Sequence, residues 1–298
     1  MNLFSVVIPC FNSAKTISKA LKSLKNQTLK DFEVILVDDA SSDYPVLLEI
    51  VEQFKPTLEI LVVRNITNKN GSHSRNRGID IATSKYIAFL DSDDEWVPDR
   101  LEKAQALINE QVEMRFIIYG RFELIQNHAS GPLLPLRAKR SEELVSEYVF
   151  AAGQHMQTST FVCPTMVARE IKFDESLSRH QDSDFMMRAQ SLGVLIVHQN
   201  HKCSYYNFKI EDVKSRVASG RITSIYCSDW LSKKRALFNK AAISGYNLQV
   251  FSRVLYLEGR YFQSVLFALA GLQSVGIKNL IDLIKTKLII VIKARMGM

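Results

Sequence analysis

Four short apolar runs in the N-terminal third constrain the fold of this chain more than any other feature. They cover residues 3–9, 32–37, 59–63 and 86–90, and each is too short to form a helix. Between them lie segments whose apolar residues recur at helical spacing. Strands that alternate with helices form doubly wound, parallel sheets. The sequence therefore predicts an α/β fold with a mostly parallel sheet flanked by helices.

Polar clusters follow three of these predicted strands. Cys10–Ser13 reads as a turn after the first strand, Asp38 and Asp39 follow the second, and Asp91 and Asp93 follow the fourth. In open α/β sheets, ligands bind beyond the carboxyl ends of the strands. The three clusters therefore predict a single site at one edge of the sheet.

The acidic residues after the fourth strand indicate a cation. Asp91, Asp93 and Asp94 crowd three carboxylates into four positions, where they repel one another. Hard oxygen ligands suit Mg²⁺ or Mn²⁺, and Mg²⁺ commonly uses one or two carboxylates plus a substrate phosphate. We expect a Mn²⁺ or Mg²⁺ ion and a phosphate-bearing ligand here.

Composition limits the cellular context. The four cysteines have no Cys-x-x-Cys spacing, which argues against a zinc cluster or disulfide framework and favours a reducing, cytoplasmic compartment. The N-terminus lacks the basic region of a signal peptide and reads as a first strand.

The net charge of +7 is concentrated near the C-terminus. Residues 221–298 contain 12 Lys+Arg and 3 Asp+Glu, which leaves 26 against 28 for residues 1–220. The basic region is either a solvated helical face or the binding site of an anionic partner. Nucleic acid is disfavoured, because the region lacks interleaved aromatic residues for base stacking.

The C-terminal quarter predicts paired amphipathic helices. Residues 262–277 lack charge, but they are too few and include Gln and Ser, so we predict no transmembrane helix. Residues 285–295 combine an apolar centre with basic flanks. This segment is interpreted in two ways: as a peripheral contact with the inner face of the cytoplasmic membrane, or as an ordinary packing helix.

Six short motifs follow one another between about residues 3 and 210. They are Val7–Asn12, Val37–Asp43, Gly71–Ile79, Asp91–Asp94, Pro98–Leu101 and Gln181–Asp184. In this order the chain resembles the family-2 inverting glycosyltransferases of the GT-A fold. The resemblance implies metal-dependent transfer of a hexose from a nucleotide-diphosphate sugar, with UDP-sugar favoured. The acceptor would be a hydroxyl of a glycan or lipid-linked saccharide, as in cell-surface polysaccharide synthesis.

The resemblance also implies roles at the nucleotide end of the donor. Asp39 would accept a hydrogen bond from the uracil imide. Pro9, Phe11 and Asn12 would line the base and ribose pocket, and Arg75 would lie near the nucleotide.

Further roles implied by the resemblance concern the diphosphate and the acceptor. Asp91, Ser92 and Asp93 would form the Asp-x-Asp motif, with Asp93 on the metal and Asp91 on the ribose or a metal-bound water. Asp182 would be the general base. The family usually has an acid where Gln181 stands, and a His that the segment after Tyr205 lacks.

The family comparison also suggests a division of the chain. Residues 1–220 would form the transferase domain, with a donor half at about 1–112 and an acceptor half at about 113–220. Residues 221–298 would form a basic helical region. Within the acceptor half, residues 126–140 suggest an exposed loop, and residues 158–168 an edge or irregular strand, because Pro164 interrupts them.

Structural interpretations compete with several of these roles. Asp38 or Ser41 is expected to cap a turn rather than bind ligand, and Asp94 to cap the loop that follows it. Asp182 and Asp184 also suit the first turn of a helix, where negative charge is favoured.

Two other functional classes are less consistent with the sequence. A dinucleotide-dependent oxidoreductase requires Gly-x-Gly-x-x-Gly after the first strand, and that turn contains no glycine. A catalytically degenerate GT-A protein that only binds nucleotide sugar, or acts as a scaffold, is the remaining alternative. The presence of Asp93 and Asp182 argues against it.

Overall fold

The computed structural model describes residues 2–126, 129–207 and 222–296. These residues form nine β-strands and eleven α-helices. The strands are β1 Phe4–Cys10, β2 Phe32–Asp38, β3 Ile60–Arg64, β4 Tyr86–Phe89, β5 Glu95–Trp96, β6 Phe116–Gln126, β7 Ala129–Leu134, β8 Val162–Pro164 and β9 Leu195–Asn207. The helices are α1 Ile17–Lys25, α2 Tyr44–Glu52, α3 Gly71–Ile81, α4 Arg100–Asn109, α5 Thr165–Ile171, α6 Gln181–Ser191, α7 Ser224–Lys233, α8 Lys240–Tyr246, α9 Ser252–Leu257, α10 Tyr261–Ser274 and α11 Ile277–Met296.

The chain divides into two compact units. Among the described residues, the sheet unit comprises residues 2–123, 156–177 and 192–207, and the helical unit comprises residues 124–126, 129–155, 178–191 and 222–296. This division is one of packing and does not test the predicted donor and acceptor halves, which stay a prediction. The predicted boundary at residues 220 and 221 lies outside the described residues.

The sheet has the order β3-β2-β1-β4-β8-β6-β9-β5, and β7 pairs with β6. The pairs β1/β2, β1/β4 and β2/β3 are parallel, as the sequence predicts. The pairs β4/β8, β6/β8 and β5/β9 are antiparallel. The α/β fold class is confirmed, and the sheet is mixed: the three parallel pairs described here lie among the first four strands.

The parallel strands β1, β2 and β4 are buried because helices cover them. Strand β1 has Phe4, Val6 and Ile8 completely buried, in one cluster with Ile17 and Leu21 of α1. Full burial of such side chains stabilises a fold by about 1.5–3 kcal/mol each. This core fixes the strand ends on which the site depends.

Three details of the later sequence differ from expectation. Strand β8 lies between β4 and β6, so the edge position expected from Pro164 is wrong. The proline is tolerated because it is the last residue of a three-residue strand. Strand β7 occupies part of the expected loop at 126–140. Strand β9, residues 195–207, had no counterpart in the prediction.

The helical unit contains an aromatic cluster and the C-terminal helices. Trp230 of α7, Tyr246 of α8 and Phe150 pack with ring centroids 5.2 to 5.9 Å apart. Helix α10 packs against α8 and α9. Among the described residues, no helix combines the length and the hydrophobicity needed to cross a bilayer.

Candidate active site

The turns that follow β1, β2 and β4 are hydrogen-bonded to one another. The Asn12 backbone N–H donates to Ser41 Oγ at 2.9 Å, and Asn12 Oδ1 accepts from the Ser42 backbone N–H at 2.9 Å. The hydroxyls of Ser13 and Ser92 lie 2.8 Å apart. The three polar clusters therefore form one edge, as the sequence predicts. We call residues 10–13, 38–43 and 91–94 the strand-end rim.

Two rim residues adopt the left-handed backbone conformation. Asn12 has φ 50° and Ala40 has φ 58°. Asn tolerates this region, whereas for Ala it costs on the order of 1 kcal/mol. The turn at Ala40 brings the Ser41 N–H within 3.2 Å of the buried Asp38 carboxylate. The contacts of Asp38 and Ser41 thus agree with the structural roles expected for them.

Asp39 is buried and surrounded by donors. Its carboxylate accepts hydrogen bonds from the Asn65 amide at 2.7 Å, the Asn68 amide at 2.9 Å and the Lys69 backbone N–H at 3.1 Å. Its own N–H donates to the Cys10 carbonyl at 2.8 Å. These contacts fix the carboxylate and use much of its acceptor capacity.

Asp91 forms an ion pair with Arg75 of α3. The guanidinium Nη2 lies 2.5 Å from Asp91 Oδ1, and the guanidinium carbon lies 5.3 Å from the centre of the Phe173 ring. Arg77 instead donates to the Arg64 carbonyl and the Asn65 side chain. Only one of the two arginines is directed to Asp91, as their helical spacing predicts.

Asp94 is a buried member of the rim. Its carboxylate accepts from the Gln157 amide at 2.5 Å and the Ser159 hydroxyl at 2.6 Å. Burial, followed by the charges of Asp91 and Asp93, raises the pKa of Asp94 well above its usual value. Asp94 therefore holds the loop in place, while Asp93 is exposed to solvent.

The rim also fits the expected metal. No group of three or more His, Cys, Asp or Glu side chains in the described parts of the chain is arranged to hold an ion. The rim offers instead the exposed Asp93 and the partly exposed Asp91 above a third carboxyl group. This donor set suits a hard divalent cation that takes its remaining oxygens from a bound phosphate and water.

Comparison with known proteins identifies the family. Residues 5–143 match the family model described as glycosyl transferase family 2. This region of the chain belongs to glycosyl transferase family 2. The matched region contains every rim residue named above.

Relatives of this family 2 chain agree in sequence and fold. It is 42% identical over 198 residues to the amylovoran biosynthesis glycosyltransferase AmsB of Erwinia amylovora. The aligned region covers 65% of this chain and 66% of AmsB, which is just under two thirds of that relative. A crystal structure of S. aureus TarS in complex with UDP-GlcNAc matches with a TM-score of 0.61 and 20% identity, covering 96% of this chain and 92% of the other.

A more distant neighbour has the same fold. The mannosyltransferase PcManGT from Pyrobaculum calidifontis, in complex with GDP-Man and Mn²⁺, matches with a TM-score of 0.59 and 13% identity, over 99% of this chain and 86% of the other. At these identities the two structural matches show the fold alone. They confirm the GT-A-type fold of this family 2 chain.

The remaining predicted donor residues lie on the same rim or directly before it. Pro9 is partly exposed near the end of β1, and Phe11 is 52% exposed in the turn that follows. Ser92 is partly exposed between the two outer aspartates. An exposed aromatic ring beside polar side chains can stack on a planar ligand.

Asp182 belongs to the helical unit. It lies in the first turn of α6 and is partly buried, whereas Asp184 is fully buried between Arg188 at 2.7 Å and Lys234 at 2.8 Å. The preceding His180 has φ 65° and stacks on Trp230 with ring centroids 4.3 Å apart. Asp184 therefore has the structural role, and the role of Asp182 as base stays a prediction.

Sequence reasoning missed the side chains that support the aspartates. Asn65, Asn68 and Lys69 hold Asp39, while Gln157 and Ser159 hold Asp94. The first three follow the end of β3, so the strand-end rule applied to that strand would have found them. The other two precede β8, and no local pattern marks them.

Proposed function

We propose that this family 2 protein is a metal-dependent, inverting glycosyltransferase. It transfers a sugar, a hexose by preference, from a UDP-sugar to a hydroxyl of a growing saccharide that is free or linked to lipid. The observation on which the proposal rests is the strand-end rim. There, three turns bonded to one another present Asp39, Asp91 and Asp93 on one edge of the sheet unit.

The rim supports a nucleotide-diphosphate donor. Asp39 is oriented by three neighbouring donors, and its remaining acceptor capacity suits the imide N–H of a uracil. Pro9, Phe11 and Asn12 would line the base and ribose pocket. Arg75, paired with Asp91, adds a positive charge near the position proposed for the nucleotide.

The metal would be held by Asp93, with Asp91 on the ribose or on a metal-bound water. Bound Mn²⁺ or Mg²⁺ would neutralise negative charge on the leaving diphosphate. Ser92 would contribute a hydroxyl beside it. The neighbour that was solved with GDP-Man and Mn²⁺ supports a divalent ion for this fold.

Asp182 would act as the general base. An ionised carboxylate within hydrogen-bond reach of the acceptor hydroxyl removes its proton as the oxygen attacks the anomeric carbon. Attack from the face opposite the leaving nucleotide inverts that carbon and needs no covalent intermediate. Asp182 lies in the first turn of α6, where the helix dipole favours negative charge, and this position supports the proposed role.

The class of donor and acceptor is supported by the relatives. S. aureus TarS was solved with UDP-GlcNAc, and AmsB is named for amylovoran biosynthesis. We therefore propose a role in polysaccharide synthesis. All four cysteines are buried and free, which supports the proposed cytoplasmic location.

Ligand-dependent thermal stability separates binding from chemistry. UDP with Mn²⁺ should raise the melting temperature of the wild type more than GDP or dTDP with Mn²⁺, because a specific ligand stabilises by mass action. Asp93→Asn should lose the Mn²⁺-dependent part of this shift. Asp182→Asn should retain the shift, yet release UDP from the preferred UDP-sugar and a lipid-linked saccharide extract about 10³-fold more slowly.

Asp80→Asn and Asp229→Asn are matched controls, since both aspartates are exposed and form only surface ion pairs. Both controls should behave as the wild type. Near wild-type turnover of Asp182→Asn would remove that residue from its role. UDP binding without UDP release by the wild type, across many acceptors, would favour the degenerate alternative.

A further inference from the structure

Helix α10 packs with its small side chains inward and its large apolar side chains outward. Ser264 and Gly271 are buried, and Ala268, on the same face, is partly buried. The opposite face of the helix is apolar and exposed. It consists of Phe262, Val265, Leu266, Leu269 and Leu272. This is the reverse of the arrangement expected for a helix of a globular protein in water.

Helix α11 repeats the pattern. Asn279, Leu283 and Thr286 are buried, and two of these three are polar. The exposed face consists of Ile277, Ile281, Ile284, Leu288, Val291 and Ile292. Together with the outward residues of α10, these side chains are 44 to 79% exposed. We call the two sets the outward faces.

Specific inward contacts fix the orientation of α10. Gly271 lies so close to α8 that an added Cβ would be 2.6 Å from the Ser244 carbonyl oxygen. Ser264 Oγ donates to the Ser252 carbonyl at 2.7 Å. A rotation that buried the large residues would lose both features, because bulky side chains do not fit where Gly271 packs.

Polar contacts fix the orientation of α11 in the same way. The Asn279 amide donates to Glu147 at 2.8 Å, and the Gln154 amide donates to Thr286 Oγ1 at 2.8 Å. Buried polar groups require such partners, so the polar face is held inward. The outward faces are thus a property of the packing.

The charged residues in the sequence of α10 and α11 are almost all basic. Residues 261–277 contain no charged side chain. From 278 to 296, the bases are Lys278, Lys285, Lys287, Lys293 and Arg295, and Asp282 is the one acid. Asp282 lies inward, between Arg137 at 2.8 Å and Arg140 at 3.0 Å. The outward faces therefore combine apolar surface with basic flanks and no acid.

We propose that the outward faces of α10 and α11 bind the surface of an anionic lipid bilayer. Amphipathic helices with basic flanks lie in the interface, with the apolar face at the acyl boundary and Lys side chains reaching the headgroups. Anionic lipid adds about 1 kcal/mol per nearby Lys or Arg. A second copy of the chain fits less well, because an isologous contact would bring two sets of basic flanks together.

This proposal is independent of the transfer reaction and concerns where the protein works. It is tested by co-sedimentation of the full chain with vesicles, without donor or acceptor. The protein should sediment with phosphatidylcholine vesicles that contain 30% phosphatidylglycerol, about the anionic content that gives a strong surface potential, and much less with phosphatidylcholine alone.

Two sets of variants separate the apolar and electrostatic parts. Phe262→Ser with Leu266→Ser and Leu269→Ser should lower partitioning into anionic vesicles by more than about tenfold, because less apolar area enters the interface. Lys278→Gln with Lys285→Gln should lower it by about 30-fold, and salt should lower wild-type partitioning in the same way.

Matched controls lie in the sheet unit. Ile66→Ser with Val112→Ser removes two exposed apolar side chains there, and Lys19→Gln with Lys103→Gln removes two exposed charges. Both should sediment as the wild type. Equal sedimentation of the outward-face and control variants would overturn the proposal. The proposal would also be overturned if the wild type did not sediment with vesicles and instead formed a dimer in analytical ultracentrifugation that the Ser substitutions dissociate.

Discussion

The strand-end rim and the outward faces differ in which side chains they bury and which they expose. At the rim, polar side chains are held by neighbours: Asp39 by three donors, Asp91 by Arg75, and Asp94 by Gln157 and Ser159. On α10 and α11, large apolar side chains face away from the packed interior, and polar ones are enclosed.

Burial and exposure therefore indicate different kinds of site in the two regions. A buried carboxylate held by several donors, such as Asp39, is costly to build and marks a preorganised site. An exposed apolar face is costly in water and marks a surface that has a partner. Loss of a single side-chain carboxylate at the rim should therefore lower the stability of the protein. Polar substitutions on the outward faces should leave its stability and fold unchanged.

The largest effect is expected at Asp39. Asp39→Ala should lower the free energy of unfolding by about 3 kcal/mol, because the buried Asn65 amide and two part-buried donors, from Asn68 and Lys69, lose their acceptor together. Denaturant unfolding measures this change. The exposed Asp80→Ala, which loses only a surface ion pair with Lys172, should change stability by less than about 1 kcal/mol. Similar losses in both variants would contradict the account of the rim.

The next effect tests the inward face of α10. Gly271→Leu should destabilise by about 3 kcal/mol, because the new side chain meets the Ser244 carbonyl and Leu248. Thermal or denaturant unfolding measures it. Gly259→Leu is not a suitable control because its φ is positive, but Ala270→Leu on an exposed position of the same helix is. That control should be within about 0.5 kcal/mol of the wild type. A neutral Gly271→Leu would reverse the assignment of the two faces.

The sequence predicted the rim better than the C-terminal helices, for a physical reason. Parallel strands bring their carboxyl ends to one edge, so residues far apart in sequence, such as Asp39 and Asp91, are placed by topology alone. The regular spacing of Phe262, Val265, Leu266 and Leu269 correctly predicted a helix. Periodicity defines an apolar face but does not show what covers it. In α10 the apolar face is not covered by the interior of the protein.

Other misses follow from the same limit. Strand β9, Leu195–Asn207, has the polar run His198–Lys202 in its middle and lacks the alternation of a half-buried strand. It forms because β6 and β5 supply its hydrogen bonds from either side. Likewise, nothing local to Gln157 or Ser159 indicates that they fold beneath Asp94. Contacts of this kind depend on tertiary structure alone.

An intermediate effect is expected at the polar inward face of α11. Asp282→Ala should destabilise by about 2 kcal/mol, because Arg137 and Arg140 lose a mostly buried partner, although Arg137 keeps Glu143. Asp229→Ala removes an exposed pair with Lys233 in the same unit and should cost less than about 0.5 kcal/mol. Urea unfolding of both variants compares them, and equal values would show that the inward pairs add nothing.

A pH-dependent effect is expected beside α11. Burial, and then the charge of Lys287, lowers the pKa of His155 to about 4 from its ordinary value of 6.5. Between these values the unfolded chain binds a proton that the folded chain does not. The stability contributed by the neutral His155 side chain is therefore complete above pH 6.5 and is lost as the pH falls towards 4.

The substitution His155→Gln isolates this contribution. Relative to the variant, the wild type should lose about 1.5 kcal/mol of unfolding free energy between pH 7.5 and 4.5, after allowance for partial exposure. Gln154→Ala is the control, because its buried amide does not titrate. Gln154→Ala should lower the free energy of unfolding by the same amount at both pH values. The prediction would be contradicted if the unfolding free energies of the wild type and of His155→Gln changed equally with pH.

The smallest effect is expected on the outward face of α10, where it decides the comparison with the rim. Val265→Ser with Leu269→Ser should change the free energy of unfolding in detergent-free buffer by less than about 0.5 kcal/mol, because both side chains already face water in the free protein. Val254→Ser, one helix earlier and almost fully buried, should cost about 3 kcal/mol. Denaturant unfolding at low protein concentration gives both values. A large loss in the double variant would mean that the outward face is covered within the folded chain, so that no lipid surface is needed to explain its composition.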